Sequence, residues 1–423
     1  MNTILESLYQ NKMFDVRLGL ETMHKLMDLL GHPERAYRVV HVAGTNGKGS
    51  VVAFTSSILK HAGHRVGVYT SPHLERFNER IVVDGIEISD ADVDALATEL
   101  QTLCVNHQVD ATFFEFTTAM AFVYFMRKKI DIAVIEVGLG GRLDATNVVT
   151  PEIAVITHIG LEHTDVLGDT LEKIALEKAG IIKEGSIVVT AESDRGVLKV
   201  FGDVCTERKA QLVRMQDRLW MKHVESFDDH QEFTAQWNLS GTFTIHLLGK
   251  HQVTNACTAL MTTSFLKTPI SIEAMGEGLK NARWPGRLEV VSRKPFVMLD
   301  GAHNPDGVAA LCEYMKNLSM RKILVFGVST DKNADAMVKM LAPHFVKIIV
   351  TASGPKPMDV DVLAGIVRTY HTNVEVLGLD DALREGLEIV ADDGLLLVSG
   401  SLYLVGDARG ILRSILNLNN LFK

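Results

Sequence analysis

The sequence is short of cysteine, of long apolar runs and of basic clusters, and each shortage excludes a class of protein. Its four cysteines are scattered without a CxxC spacing, which argues against a disulfide framework and predicts a reducing, cytoplasmic location. No apolar stretch approaches the ~20 residues of a membrane span, so we expect no membrane partner. A net charge of −9 without a basic strip argues against nucleic acid as a partner.

The 423 residues are more than one ordinary core accommodates, so we expect more than one domain. In the first part of the chain, apolar runs of strand length alternate with helical patterns. Runs that are apolar on both faces predict a parallel sheet covered by helices on both sides. The predicted strands span 38–43, 65–69, 131–137, 152–157 and 187–190. The predicted helices lie near 48–62, 90–105, 114–128 and 170–180.

Residues 211–248 break this rhythm with a polar and apolar alternation around Ser240-Gly241, which predicts a small antiparallel hairpin. A helix is expected over 251–267, and a second α/β rhythm begins after the WPG segment. We therefore predict an α/β protein that combines a mostly parallel, P-loop-type ATPase domain with a smaller C-terminal, Rossmann-like α/β domain. The expected boundaries are a first domain over 1–283, a hinge over 284–287 and a second domain over 288–423.

A glycine-rich loop, GTNGKGS, directly follows the first predicted strand. Glycines let backbone N–H groups approach an anion, Lys48 would neutralise it, and the following helix would point its positive end at the same place. The loop does not fit the strict pattern G-x-x-x-x-G-K-[ST], because its first two glycines are too close together and Gly49 separates Lys48 from Ser50. The alternative at this point is a strand-to-helix turn that binds no ligand.

Two polar side chains mark the ends of later predicted strands. Glu136 ends the strand 131–137, where a carboxylate could hold Mg²⁺ against a nucleotide or merely cap the following turn. His163 follows the strand 152–157, in a loop whose histidines could also be simply solvated. Because ligands of doubly wound sheets bind at the carboxyl ends of the strands, we expect both side chains to line a ligand site.

Two further positions could be functional residues or ordinary surface and turn residues. Lys178 ends the helix 170–180 and could be a solvated surface lysine, or a lysine that CO₂ converts into an anionic, metal-binding carbamate. Asp300 and His303 follow a strand of the second domain, and a strand-to-helix turn alone does not explain this pair. The expectation is that the strand-end loops of both domains share one cleft.

Seven motifs occur along the chain in a fixed order: GTNGKGS, SPHLERFNERI, EVGLGGRLDATN, EKAGIIK, WPGRLEV, DGAHNPDG and SGSLYL. Together they resemble the folylpolyglutamate synthase/dihydrofolate synthase family, which belongs to the ADP-forming Mur ligase superfamily. The resemblance runs from about residue 3 to residue 415. It implies that GTNGKGS is that superfamily's variant of the P-loop and cradles the phosphates of ATP.

The resemblance implies a role for each matching residue. For the nucleotide these residues are Gly44, Thr45, Asn46, Gly47, Lys48, Gly49, Ser50, Asn255, Arg287 and Asp300. For Mg²⁺ they are Ser50 and Glu136 at one position, and His163 with a carbamylated Lys178 at a further position. The catalytic group is Lys48, Lys178, Asp300 and His303. The weaker candidates for the folate and glutamate sites are Ser71, His73, Phe114, Asp144 and Ser401.

The implied reaction is an ADP-forming ligation of an amino acid to a carboxylate. ATP phosphorylates the carboxylate of a folate, the amino group of L-glutamate attacks the acyl phosphate, and phosphate leaves. The implied cofactors are ATP and Mg²⁺, with a monovalent cation as an option, and the implied partners are small molecules bound by a monomer. The motifs leave open whether the main carboxyl substrate is a folate, dihydropteroate, or both.

Two rival interpretations fit the residues less well. A peptidoglycan Mur ligase carries a domain for its nucleotide-linked substrate before the P-loop, whereas only 43 residues precede Gly44 here. A guanine-reading nucleotide switch would be expected to show an N-K-x-D segment. The chain's only Asn-Lys pair is Asn11-Lys12, and Met13-Phe14 follows it.

Overall fold

Residues 3–12, 17 and 19–416 are described by a computed structural model of the protein. The chain divides into two compact units. The first comprises Met1–His246 with Gln252–Arg283, and the second comprises Leu247–His251 with Trp284–Lys423. The short segment Leu247–His251 therefore belongs to the second unit, although it precedes the expected boundary by more than thirty residues.

The first unit is built on an eight-stranded sheet. Its strands are β1 (Arg38–Ala43), β2 (Val66–Tyr69), β3 (Ile81–Val83), β4 (Ile86–Glu87), β5 (Ile132–Glu136), β6 (Ile153–Ile156), β7 (Ile187–Thr190) and β8 (Gln211–Arg214). Their order is β4-β3-β2-β5-β1-β6-β7-β8. The six strands β2, β5, β1, β6, β7 and β8 run parallel to their neighbours in this order. Strands β3 and β4 add an antiparallel hairpin at the β2 edge. Strand β1 is interior to the sheet, so the loop that follows it lies among neighbouring strand ends.

Among its described residues, eleven helices belong wholly or mostly to this unit. They are α1 (Thr3–Lys12), α2 (Glu21–Leu30), α3 (Lys48–His61), α4 (Asp90–Asn106), α5 (Phe113–Arg127), α6 (Thr164–Leu167), α7 (Leu171–Ala179), α8 (Arg195–Glu207), α9 (Met215–Arg218), α10 (Lys250–Ser264) and α11 (Ile272–Asn281). Short 3₁₀ turns span Pro33–Arg35, Phe77–Arg80 and Ala145–Val148. One part of the core packs α1, α2, α4 and α5 together, and another packs α7 against α8.

Side-chain caps explain where several of these helices begin. Thr112 accepts from the backbone N–H of Glu115, and the Glu115 carboxylate accepts from the N–H of Thr112, which completes a capping box at the start of α5. Ser89 caps α4 and Asp194 caps α8, each through one side-chain oxygen that accepts from a backbone N–H. The starts of these three helices therefore follow from local sequence.

A three-stranded antiparallel sheet completes the first unit, with β9 (Trp220–Ser226), β10 (Gln231–Gln236) and β11 (Ser240–Ile245). The predicted hairpin is confirmed by the pairing of β10 with β11. The predicted turn at Ser240-Gly241 is wrong, because Gln236 pairs with Ser240 and the turn occupies 237–239. The backbone N–H of Trp237 donates to the Leu239 carbonyl at 2.8 Å, which closes the turn before the polar Ser-Gly pair is reached.

The second unit contains a six-stranded sheet. Its strands are β12 (Glu289–Arg293), β13 (Phe296–Asp300), β14 (Arg321–Phe326), β15 (Lys347–Val350), β16 (Val374–Val376) and β17 (Gly394–Ser399). Their order is β12-β13-β17-β14-β15-β16, and all pairs are parallel except β12 with β13. Its helices are α12 (Pro305–Met315), α13 (Ala334–Leu341), α14 (Val360–Tyr370), α15 (Leu379–Val390) and α16 (Leu402–Ile415), with a 3₁₀ turn at Ala342–His344.

The predicted fold class is confirmed: each unit is an α/β structure with a mostly parallel sheet, and the first carries the small antiparallel element. The elements that the sequence did not predict include the β3–β4 hairpin, the strands β8 and β9, and the helices α1, α2, α6, α8, α9 and α11. None of the helices in the described part of the chain combines the length and the apolar character that a membrane span requires.

Candidate active site

The loop between β1 and α3 is fixed by close packing against neighbouring backbone and side chains. Gly44 has a φ of 147°, and a Cβ added to it would lie 1.8 Å from the Thr157 hydroxyl oxygen. Gly47, at the N-cap of α3, has a φ of 89°, and its Cβ would lie 2.7 Å from Oδ1 of Asn255. Neither position accepts a side chain without strain or a clash. The Thr157 hydroxyl also donates to the Asn46 carbonyl at 2.8 Å, which fixes the middle of the loop.

The loop after β6 forms hydrogen bonds with the GTNGKGS loop, which we call the phosphate loop. The backbone N–H of Thr45 donates to the His158 carbonyl at 2.8 Å. The Thr45 hydroxyl oxygen lies 3.1 Å from both the N–H and the carbonyl of Gly160, so it accepts from one and donates to the other. Asn46 and His158 also form an isolated antiparallel bridge. The conformation of GTNGKGS is therefore set by the end of the neighbouring strand as well as by its own glycines.

Glu192, at the end of β7, is a buried carboxylate that organises this second loop. It accepts from the backbone N–H of Ile159 at 2.9 Å, of Ser193 at 2.7 Å and of Asp194 at 3.0 Å. Nδ1 of His158 lies 3.3 Å from its Oε2. Burial acts to raise the pKa of Glu192, but the hydrogen bonds from His158 and the amides outweigh burial and lower it to about 2. We infer that Glu192 keeps its charge and holds the β6 loop in place at physiological pH.

Two lysines reach the carbonyl oxygens of the phosphate loop. Nζ of Lys48 donates to the Thr45 carbonyl at 3.1 Å, and Nζ of Lys178 donates to the Gly44 carbonyl at 3.0 Å. Lys178 is only 5% exposed, so its interpretation as a solvated surface lysine is wrong. Burial, and then the charge of Lys48, lower the pKa of Lys178 to about 7. The loop thus gathers positive charge where an anionic ligand would compensate it.

The oxygen ligands expected for Mg²⁺ lie on neighbouring elements. Ser50, in the first turn of α3, is 4% exposed, and Glu136, at the end of β5, is 5% exposed. The register of β1 against β5 places Glu136 opposite Val42, two residues before the loop. Mg²⁺ is commonly held by one or two carboxylates together with phosphate oxygens and water, so a hydroxyl and a carboxylate suit it. Within the described residues, no group of three or more His, Cys, Asp or Glu forms a protein-only metal cage.

His163, unlike Ser50 and Glu136, is not buried. It is exposed, has a φ of 51° and stands at the N-cap of the short helix α6. The same loop carries Glu162, whose charge acts on Lys178. The loop therefore lies near Lys178, while the metal-binding role of His163 stays a prediction.

Asp144 folds the EVGLGGRLDATN loop. Its carboxylate accepts from the backbone N–H of Leu139 at 2.8 Å, from the N–H of Thr146 at 3.0 Å and from the Thr146 hydroxyl. Burial raises the pKa of Asp144, and these hydrogen bonds oppose that effect. Phe114 packs against the same loop, since a Cβ on Gly138 would lie 2.5 Å from the Phe114 ring. The structure gives Asp144 a role in folding this loop, and its contact with substrate stays a prediction.

The SPHLERFNERI segment lies beside Glu136. Oε2 of Glu136 accepts from the backbone N–H of Ser71 at 3.4 Å. The segment is folded around Glu79, whose carboxylate accepts from three successive backbone N–H groups: those of Leu74, Glu75 and Arg76. His73 is half-buried in this loop, where burial, and then the Arg80 charge, lower its pKa to about 3. Sequence reasoning missed Glu79, because Arg76 three residues before it is not one of the Ser, Thr, Asp or Asn residues that mark a capping box.

In the second unit, the end of β13 carries its own polar cluster. Asp300 is 7% exposed and accepts from the backbone N–H of Leu288 at 2.8 Å and of Ala302 at 2.9 Å. Burial raises the pKa of Asp300, while the Arg287 charge acts to lower it. The guanidinium of Arg287 lies beside Gly301, where an added Cβ would be 2.9 Å from Nη1. Arg287 and Asp300 are thus brought together as expected.

Two helix N-termini follow the adjacent strands β13 and β17. Asn304 caps α12 by accepting from the N–H of Gly307 at 2.8 Å, and Ser401 caps α16 by accepting from the N–H of Tyr403 at 3.2 Å. Nδ1 of His303 lies 2.7 Å from the Gly301 carbonyl. A carbonyl oxygen only accepts, so Nδ1 carries the ring proton and Nε2 of the neutral ring is a proton acceptor.

Two family models match the chain: the Mur ligase middle domain over residues 42–263, and the Mur ligase glutamate ligase domain over residues 286–402. A dihydrofolate synthase/folylpolyglutamate synthase of Bacillus subtilis is 39% identical over 420 residues, which cover 94% of this chain and 95% of that protein. The chain belongs to the folylpolyglutamate synthase/dihydrofolate synthase family of Mur ligases. The predicted family is confirmed by these matches, which extend over nearly the whole sequence.

Solved structures of this family have the same fold. Mycobacterium tuberculosis folylpolyglutamate synthase complexed with ADP matches with a TM-score of 0.90 at 32% identity, covering 96% of this chain and 98% of that one. Escherichia coli FolC in complex with DHPP and ADP matches with a TM-score of 0.86 at 30% identity, covering 97% of each chain. The family fold is thus known with ADP bound in those proteins.

We expect Gly44→Ala to distort the phosphate loop of this family member, because the new Cβ would collide with the Thr157 hydroxyl. Strain and overpacking together should lower the free energy of unfolding by about 2–4 kcal/mol and weaken nucleotide binding at least tenfold. The matched control is Gly63→Ala, where φ is also positive, at 86°, but no atom lies within 4 Å of the added Cβ.

Denaturant unfolding and titration with an ATP analogue would measure both quantities. Gly63→Ala should cost about 1 kcal/mol and leave nucleotide binding unchanged. Equal losses of nucleotide affinity in Gly44→Ala and Gly63→Ala would contradict the packing account of the loop.

Proposed function

We propose that the protein ligates L-glutamate to the carboxyl group of a folate, using ATP and releasing ADP and phosphate. One observation carries this proposal: a phosphate loop held rigid by its neighbours and supplied with two lysines lies in a chain that matches folate ligases over nearly its whole length. The Bacillus subtilis relative is named for both dihydrofolate and folylpolyglutamate synthesis, and a Lacticaseibacillus casei relative, 35% identical over 396 residues, for folylpolyglutamate synthesis.

Nucleotide-binding roles are assigned first within one unit and then within the other. The amides of 44–50 and Lys48 would bind the β- and γ-phosphates, since a helix N-terminus and a lysine favour an anion. Asn255, which lies against Gly47, would contact the adenine. From the second unit, Arg287 and Asp300 would serve the ribose and phosphates. The resident metal would be Mg²⁺, held by Ser50 and Glu136, and His163 with carbamylated Lys178 would hold a further ion.

The proposed reaction has two steps. An oxygen of the folate carboxylate attacks the γ-phosphorus of ATP, and the bond to the β-phosphate oxygen breaks, which gives an acyl phosphate and ADP. The amino group of L-glutamate then attacks the acyl carbon, and inorganic phosphate leaves with the former carboxylate oxygen. Bound Mg²⁺ supplies charge neutralisation of the phosphates. His303, whose Nδ1 donates to the Gly301 carbonyl, is assigned as the acceptor, through Nε2 of its neutral ring, of the proton that the glutamate ammonium must lose.

The substrate side is assigned to the loops beside Glu136. Ser71, His73, Phe114 and Asp144 would line the folate site, and Ser401 would serve the glutamate site. A second candidate activity is the addition of the first glutamate to dihydropteroate. The name of the Bacillus subtilis relative favours it, because that name joins both activities.

ADP release by the purified protein tests this proposal. We expect release to require both L-glutamate and a pterin carboxylate, with tetrahydrofolate and dihydropteroate compared in parallel. Lys48→Ala should lower the rate by roughly 10²–10³-fold, because it removes charge stabilisation at the phosphates. Lys60→Ala, an exposed lysine in the last turn of the same helix, is the matched control and should keep the parent rate.

ADP release that is indifferent to glutamate, or a Lys48→Ala protein with near-parent activity, would exclude the proposed ligation. Unfolding midpoints of both variants should stay near the parent value, since neither side chain belongs to the core. A rate that rises only with dihydropteroate would assign the second candidate activity instead.

We further propose that Lys178 is carbamylated. The neutral amine forms a bond to the carbon of CO₂ and loses a proton, so that a cation becomes an anion able to bind a metal. Reaction needs the unprotonated amine, and burial together with Lys48 lowers the pKa of Lys178 to about 7. Below that pH the lysine is mostly protonated, and above it mostly neutral. Carbamate formation should therefore rise as pH increases through about 7.

Three variants and one spectrum test the carbamate. We expect a carbonyl signal of ¹³CO₂-derived carbamate in the ¹³C spectrum of the parent, and none in Lys178→Ala. Lys178→Ala should lose activity and regain part of it with added short-chain carboxylates, which would occupy the vacated anionic position. Lys178→Arg should stay inactive because arginine keeps the charge and forms no carbamate. A Lys178→Arg protein as active as the parent would rule the carbamate out, and Lys173→Arg on the exposed side of α7 is the control.

A further inference from the structure

Arg80 is a buried cation for which the proposed reaction has no use. It ends the 3₁₀ turn Phe77–Arg80, directly before β3, and is 4% exposed. Its guanidinium carbon lies 5.4 Å from the centroid of the Phe113 ring. Within the part of the chain that the structure describes, no carboxylate forms an ion pair with it. A buried charge without an acidic partner is costly, so its contacts deserve a functional explanation.

The polar contact of Arg80 is with a histidine. Its Nε–H donates to Nδ1 of His73 at 2.8 Å. A guanidinium has only donors and stays protonated, so it cannot accept a hydrogen bond from the ring. Nδ1 of His73 must therefore be the bare, accepting nitrogen. In the neutral ring, the proton then lies on Nε2.

We propose that Arg80 is a positioning residue that locks His73 as a neutral hydrogen-bond donor through Nε2. The inference rests on the proposed function, which places His73 at the folate site. Locked in this way, His73 recognises an acceptor atom of the substrate, such as a carboxylate oxygen or a ring nitrogen. It cannot take up the proton of the glutamate ammonium, because its only accepting nitrogen is occupied by Arg80.

The surroundings of the ring support a fixed orientation. The Tyr9 ring of α1 lies with its centroid 6.0 Å from that of His73, at an interplanar angle of 35°. On the loop itself, the Glu79 carboxylate is engaged by three backbone N–H groups. Burial, and then the charge of Arg80, lower the pKa of His73 to about 3. The ring thus stays neutral throughout the physiological range.

The two histidines assigned to the reaction have opposite tautomers. His303 donates from Nδ1 to the Gly301 carbonyl, so in its neutral ring Nε2 is the nitrogen without a proton. His73 accepts at Nδ1 from Arg80 and presents an Nε2–H. One ring can therefore accept a proton and the other can only donate a hydrogen bond. This division of roles follows from one contact in each unit and does not depend on which folate is bound.

Nitrogen NMR of the full chain tests the lock directly. The protein is labelled with ¹⁵N-histidine, and the His73 signals are identified by their loss in His73→Asn. In the parent we expect a bare Nδ1 and a protonated Nε2, unchanged between about pH 5 and pH 8. A parent protein with Nδ1 protonated, or one in which His73 titrates near its ordinary pKa of about 6.5, would overturn the proposal.

Arg80→Leu gives the complementary test. Without the guanidinium, His73 should show both tautomers and titrate within the measured range. The pH profile of kcat/KM for folate should gain an acid limb at the same pKa, which a merely structural role would not produce. Arg65→Leu is the control, since Arg65 is an exposed arginine at the start of β2 with only a 3.7 Å ion pair to Asp84.

The experiments distinguish a failure of the proposed ligation from a failure of the proposed role of Arg80. If the protein did not use folate, the parent spectrum of His73 would still show the locked tautomer. If the lock were absent, ADP release could remain while the His73 signals titrate in the parent. An Arg80→Leu protein whose His73 signals match those of the parent would also overturn the proposal, and the parent spectrum decides the question even if that variant does not fold.

Discussion

The structure of the first unit depends on one close contact, the approach of the Gly44 backbone to the Thr157 side chain. A Cβ at Gly44 would lie 1.8 Å from the Thr157 hydroxyl, so the chain turns at the end of β1 in a conformation that only glycine allows. The same hydroxyl donates to Asn46, and Thr45 is bonded in both directions to Gly160. Because Glu192 fixes the second loop through backbone amides, the cradle is shaped by the ends of β1, β6 and β7 together.

Two lysines add positive charge to this loop, which favours an anionic ligand. Lys48 and Lys178 both donate to carbonyl oxygens of the loop. Burial, and then repulsion from the charge of Lys48, lower the pKa of Lys178 from 10.5 to about 7. A shift of this size corresponds to roughly 5 kcal/mol of destabilisation of the charged form. The unfolded chain binds more protons here, so this penalty is fully present below about pH 7 and declines as pH rises toward 10.5. A bound phosphate, or conversion of the lysine to a carbamate, would relieve it.

Much of the fold could be predicted from sequence because its strands are apolar on both faces and its motifs follow them directly. The boundaries of β1 and β7 matched the predicted runs, and the glycine-rich loop was found from its residues and its place after a predicted strand. The hairpin turn was misplaced because Ser240 and Gly241 have turn chemistry, yet the pairing of Gln236 with Ser240 sets the turn earlier. Local propensity there yields to cross-strand register.

The residues that sequence reasoning missed act through partners distant in the chain. Glu192 accepts from Ile159, more than thirty residues away, and no spacing rule reveals such a contact. Arg80 acts on His73 within one motif, but its burial against Phe113 depends on the packing of α5. The low pKa of Lys178 likewise follows from its burial and from the charge of Lys48, which a helical periodicity cannot show. Motifs therefore name the candidate reacting groups, whereas tertiary packing decides their protonation and orientation.

The fate of the oxygen atoms of the substrate carboxylate tests the central claim most directly, namely that this cradle activates a carboxylate by phosphorylation. The protein is given ATP, L-glutamate and a folate labelled with ¹⁸O in its carboxylate, and the released phosphate is analysed by mass. The account predicts one ¹⁸O in each phosphate formed with the amide product, because the carboxylate oxygen that attacks phosphorus leaves with it. Unlabelled phosphate, released in step with the amide, would contradict it.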